Sequence, residues 1–225
     1  MTADDADLAA LRESVRKLLE ASYPAGIRRR LLDDPLGYEP TVWQQMAGQL
    51  GLQGLAVPEM YGGSGAPPSF GQAVFVELGA ALYSGPYFAC AGLVVPALLW
   101  AGTEEARAEY LPLIADGSLV ATLATTERGH DWGLDDIAMT AIRGPADQWR
   151  LTGRKAYVID AVAASLIFVT ARTDEGVALF AVQPTAVGCS IAATPSLDLT
   201  RRLATIELTA MIPAGAQSTC AANTK

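Results

Sequence analysis

The sequence predicts an α+β fold, a helical N-terminal part followed by an antiparallel β-sandwich or barrel-like part, and three observations carry that expectation. From residue 6 to about 115 the apolar residues recur at helical spacing. After Asp116-Gly117 the pattern changes to short β-branched or alternating runs punctuated by glycine and polar residues. The strand candidates then follow one another with no helical segment between them, which favours antiparallel pairing over a parallel sheet. With 225 residues, 51% of them apolar, the chain can bury a sizeable core as one large domain or two smaller ones. The expected division is a helical part at 1–116, a β part at 117–210, and a fraying tail at 211–225, where Ala, Thr, Ser and Gly show little periodicity.

Leu8, Leu11, Val15, Leu18 and Leu19 form the first apolar stripe, Trp43, Met46 and Leu50 the second, and Phe70, Val74, Leu78 and Leu82 the third. Loops with strong breakers separate them, Asp33-Asp34-Pro35-Leu36-Gly37 and Pro58 to Gly65. The glycine cluster Tyr61-Gly62-Gly63-Ser64-Gly65 lacks the spacing of a phosphate-binding loop and no strand precedes it, so it reads as turn geometry. Tyr87 to Gly102 is the longest apolar run; broken by Pro96 and shorter than the roughly 20 residues of a membrane span, it predicts a buried core helix. Thr103 is a good N-cap, and Glu104 and Glu105 suit the positive end of the helix that should run to about Ala115. Strands are expected at 118–126, 136–143, 148–159, 165–172, 177–183, 188–194 and 203–210.

A formal charge of −8 argues against a nucleic-acid surface, which needs a concentrated cationic face, and Arg28-Arg29-Arg30 and Arg201-Arg202 are too short to make one. Cys90, Cys189 and Cys220 are widely spaced and odd in number, so they predict reduced thiols in a cytoplasmic protein, without a disulfide framework or metal site. Asp4, Asp5 and Asp7 are the opposite of a cationic leader, and no targeting signal is expected. His130, the only histidine, has no nucleophile that sequence can place beside it.

Leu50 to Gly63, read as Leu-Gly-Leu-Gln-Gly-Leu-Ala-Val-Pro-Glu-Met-Tyr-Gly-Gly, resembles the helix-to-loop signature of the acyl-CoA dehydrogenase N-terminal domain. The similarity continues through Gly102-Thr103-Glu104-Glu105, Tyr110 to Gly117, Ala124-Thr125-Thr126-Glu127, Leu151-Thr152-Gly153-Arg154-Lys155 and Asp198 to Ala204, covering roughly residues 6 to 210. The resemblance implies FAD as cofactor and α,β-dehydrogenation of an acyl-CoA thioester, with an electron-accepting flavoprotein and a homo- or hetero-oligomer as partners. It implies that Thr126, with Leu123 and Thr125 alongside, meets the flavin pyrimidine. The place of the family's Gly-Ser-Asp is taken by Asp131-Trp132-Gly133, which puts a bulky indole, Trp132, where cofactor and substrate pass. The family's Trp-Ile-Thr is replaced by Tyr157-Val158-Ile159, in which Tyr157 can still stack but Ile159 cannot donate a hydrogen bond. In this family the catalytic glutamate lies in a C-terminal helical domain, so the resemblance implies a base from outside these residues. A non-catalytic interaction subunit or relic that binds no flavin remains the alternative, and a flavin-free ligand-binding module a third.

Overall fold

The computed structural model describes residues 3–127, 129 and 133–216. Among these, six α-helices come first and seven strands follow. The helices are α1 (Ala3–Ser22), α2 (Ala25–Leu31), α3 (Pro40–Leu50), α4 (Pro68–Ala80), α5 (Val95–Ala101) and α6 (Glu104–Ala115). Proline at the first turn opens α3 and α4, and a left-handed Gly51 closes α3. Thr103 caps α6 as expected, its hydroxyl accepting from the Ala106 amide at 3.2 Å. The third apolar stripe ends early: Leu82 lies beyond α4 in a left-handed turn and is exposed.

The apolar run after Tyr87 forms a π-type helix, Phe88–Val94, that continues into α5. Cys90 on that helix clamps the start of the sheet: its Sγ donates to the Ala121 carbonyl and accepts from the Ala121 amide, each at 3.1 Å. Burial pushes this thiol up to about 12, which makes it unreactive at neutral pH. The run is not buried throughout, because Trp100 at the end of α5 is 88% exposed.

The strands are β1 (Ala121–Ala124), β2 (Thr140–Arg143), β3 (Trp149–Ile159), β4 (Leu166–Thr173), β5 (Gly176–Val182), β6 (Cys189–Thr194) and β7 (Leu203–Ile212). They form one curled sheet of order β1-β4-β2-β3-β7-β6, with β5 on the far edge of β4. The sheet is mixed, not antiparallel as expected: β4 runs parallel to β1 over four residue pairs and to β2 at Thr140↔Arg172. A parallel pair needs a long return path, and here the antiparallel β2–β3 hairpin provides it in place of a helix. Absence of helices between strands therefore does not force antiparallel pairing.

One face of this sheet, with Ala121, Leu166, Phe168, Leu179 and Ala181, joins the helical core, so the two halves meet in shared apolar packing. Tyr110 of α6 packs edge-on against Phe168 with ring centroids 5.3 Å apart. The other face, with Leu151, Val169, Phe180, Ile206 and Leu208, forms a second core inside the curl. The expected tail begins later than residue 211: Met211 and Ile212 belong to β7, Ile212 is buried opposite Trp149, and residues 217–225 lie outside the described residues.

The glycine cluster is turn geometry, as its sequence implies. Ser64, Gly65 and Ala66 donate their amides to the carbonyls of Gly54, Val57 and Leu55 at 2.7–3.0 Å. A Cβ on Gly63 would collide with the Val57 and Gly54 carbonyl oxygens, which are backbone atoms and cannot swing away. Gly63→Ala is expected to destabilise the protein by about 1–3 kcal/mol, read as a lowered urea midpoint.

Candidate functional site

The hydrogen-bonded register of β1 with β4 ends at Ala124↔Val169, so Thr125, Thr126 and Glu127 leave the sheet earlier than the expected strand 118–126. Other groups hold this segment. The Lys155 ammonium donates to the Thr125 carbonyl at 3.2 Å, and the Ala156 amide to the Thr126 carbonyl at 2.8 Å. Thr125 is exposed, while Thr126 and Leu123 are half-buried. One strand turn back, the Thr122 hydroxyl donates to the Ile159 carbonyl at 2.5 Å, tying β1 to the end of β3.

On β3 the alternation of side chains breaks at one place. Lys155 pairs with Ile206 and Val158 with Ala204, so three steps on β3 oppose two on β7, the signature of a β-bulge. Unbroken alternation would put Tyr157 on the same face as the buried Lys155. The extra residue instead leaves Tyr157 46% exposed, in the left-handed region at φ 56°. A bulky residue in that region is strained, and such strain collects at functional sites.

Beneath this surface lies a buried ion pair. Lys155 has no exposed surface; its Nζ donates to Glu127 Oε1 at 2.7 Å and to the Thr170 hydroxyl at 3.1 Å. Glu127 accepts the Ala138 and Met139 amides, each at 3.0 Å. Burial disfavours both charges. For Glu127 the bonds from Lys155 and the two amides outweigh burial and hold the carboxyl below its ordinary value; for Lys155 burial prevails and lowers the ammonium from its own.

Asp160 follows directly. It is 3% exposed and left-handed, and its Oδ2 has no hydrogen-bond partner among the described residues. Burial raises its carboxyl to about 7, against the opposing pull of Arg201 and Arg202.

The structure thus brings Leu123, Thr125 and Thr126 together with Tyr157 and Ile159 on one open shelf. Val158 is withdrawn from it: its side chain is 3% exposed and packs in the inner core, because the bulge sends 157 out and 158 in. Trp132 and His130 lie outside the described residues. Glu127, Lys155 and Asp160 are the residues that motif reading passed over. They were visible as an acid after the Thr-Thr step, a lysine after Gly153-Arg154, and an acid ending an apolar strand. Among the described residues no cluster of His, Cys, Asp and Glu suits a metal ion, and no helix is long and apolar enough to cross a membrane. The shelf can receive a flat ligand, with an aromatic ring to stack on it, aliphatic side chains beside it and threonine hydroxyls at its edge.

Residues 5–118 match the acyl-CoA dehydrogenase N-terminal domain. The chain is 32% identical over 194 residues to the acyl-CoA dehydrogenase FadE12 of Mycobacterium tuberculosis, which covers 80% of this chain and 48% of that protein. It spans about half the length of that relative. Among solved structures, the ChsE4-ChsE5 complex from Mycobacterium tuberculosis superposes with a TM-score of 0.82 at 25% identity, covering 94% of this chain and 56% of that one. An acyl-CoA dehydrogenase complexed with FAD from Bacillus anthracis shares the fold with a TM-score of 0.85 at 23% identity, covering 98% of this chain and 39% of that one.

Proposed function

Since this chain belongs to the acyl-CoA dehydrogenase family, we propose that its shelf is one wall of an FAD site and that it serves the α,β-dehydrogenation of an acyl-CoA thioester. The observation that carries this reading is the β3 bulge, which turns Tyr157 outward beside Thr126 while the Ala156 amide holds the Thr126 carbonyl. An isoalloxazine ring has a flat apolar face and a pyrimidine edge of mixed donors and acceptors. Tyr157 stacks on the face, Leu123 and Ile159 flank it, and the hydroxyls of Thr125 and Thr126 serve the edge. Val158 contributes through its backbone alone. When bound, the flavin supplies the acceptor for the hydride leaving Cβ. Trp132 narrows the passage of the substrate.

Removal of the α-proton requires a base, worth about 10²–10⁴ in rate. The carboxylates beside the shelf do not suit that role: Glu127 is held ionised in a buried pair, and Asp160 is enclosed. The base comes from outside these 225 residues, on this or a partner polypeptide. The two-component name of the ChsE4-ChsE5 complex supports a hetero-oligomeric reading, with an electron-accepting flavoprotein as the redox partner. The buried Cys90 and half-buried Cys189, both unpaired thiols, suit a reducing cytoplasm. One observation favours the flavin-free alternative: Ile159 offers no side-chain donor, which weakens flavin binding by about 2- to 12-fold if one neutral hydrogen bond is lost.

Titration of the purified chain with FAD, followed by the flavin absorbance band and by thermal shift, tests the reading. Thr126→Ala is expected to weaken flavin binding about 2- to 12-fold and Tyr157→Ala by a similar factor through lost stacking. Undiminished flavin affinity in both variants moves the site elsewhere. A colourless protein that FAD does not stabilise favours the interaction-subunit reading.

A further inference from the structure

We infer that the buried Lys155–Glu127 pair is the positioning device of the shelf, replacing strand pairing where β1 ends; this rests on the flavin-site reading above. The segment Thr125 to Glu127 has no continuing ladder to β4, yet it bears the hydroxyls that reach the cofactor edge. Its geometry is set from below. Lys155 holds the Thr125 carbonyl, the Glu127 carboxylate and the Thr170 hydroxyl of β4. Glu127 in turn holds the amides of Ala138 and Met139 just before β2.

Four separate segments are therefore locked to one ammonium and one carboxylate. The bulge makes the same stretch of β3 do two things: Lys155 points inward to pin the segment, and two residues on Tyr157 points outward to face the ligand. Slack in the pin shifts the threonine hydroxyls against the tyrosine ring, and a misplaced first contact is felt as lost affinity for a rigid ligand. An ordinary core pair would need neither the Thr125 carbonyl nor adjacency to an outward bulge.

The test is the double variant Lys155→Met/Glu127→Gln, which removes both charges and keeps an acceptor for the Met139 and Ala138 amides. In the flavin-free chain, residue-resolved hydrogen exchange of the Ala156 amide, bonded to Thr126, is expected to accelerate at least tenfold, while the Ile206 and Leu208 amides of β7 keep their wild-type rates. FAD affinity is expected to fall at least tenfold and the flavin absorbance band to shift. Thr170→Val, which removes one of the partners of Lys155, should show the same pattern in weaker form and decides the matter if the double variant does not fold. Unchanged Ala156 exchange in a folded variant overturns the inference, as does accelerated exchange with undiminished flavin affinity. If the wild-type chain takes up no flavin, the site reading falls and the exchange result alone decides whether the pair pins the segment.

Discussion

Lys155→Met alone is expected to lower the unfolding free energy by about 3–5 kcal/mol at neutral pH, because it strands a carboxylate in the interior. Glu127 would keep its two amide donors but lose the ammonium at 2.7 Å, and burial would then dominate its ionisation. The pH dependence identifies the cause. In the wild type the Glu127 carboxyl is held below its ordinary value of 4.5, so its contribution is present above that value and fades as pH falls through the lowered folded-state value. In the variant the unpaired carboxyl takes up a proton more readily than an exposed glutamate does. The gap between variant and wild type is therefore widest at pH 7–8 and narrows as the solution is taken toward pH 4. Urea unfolding at several pH values measures this, and an equal midpoint at pH 7.5 would show that the pair is not buried as described.

Asp160→Asn works in the opposite sense. Burial lifts the Asp160 carboxyl from an ordinary 3.8 to about 7, so the folded protein holds this proton more tightly than the unfolded chain does. The cost of Asp160 is absent below pH 3.8, grows as pH rises toward 7, and is constant above. At about 1.36 kcal/mol per pH unit, a separation of roughly three units amounts to on the order of 4 kcal/mol. The neutral amide avoids that cost. Asp160→Asn should be more stable than wild type at pH 8 and nearly equal to it at pH 4, with most of the difference arising between those limits. A variant no more stable at pH 8 than at pH 4, relative to wild type, would mean that Arg201 and Arg202 already neutralise the carboxylate.

These two residues also show where reading the sequence stops. The Thr125-Thr126-Glu127 step and the Gly153-Arg154-Lys155 stretch were both legible as pieces of one family pattern, and the shelf residues Leu123, Thr126, Tyr157 and Ile159 do come together. That Glu127 and Lys155 meet, 28 residues apart along the chain, was not legible, since pairing depends on which strands lie side by side. Val158 shows the same limit at closer range. In a regular strand it and Tyr157 would face the opposite ways from those observed, and a single inserted residue, without any composition of its own, reverses both.

Local chemistry along the chain was enough for the helices, the Thr103 cap, the glycine turn and the approximate places of all seven strands, because caps, breakers and apolar periods act over a few neighbouring residues. The direction of β1 against β4, the outward turn of Tyr157, and the burial of Lys155, Glu127 and Asp160 were decided only in the folded protein. Each depends on contacts between segments far apart in the chain, where the solvent a charged or aromatic group keeps or loses is set by what packs against it.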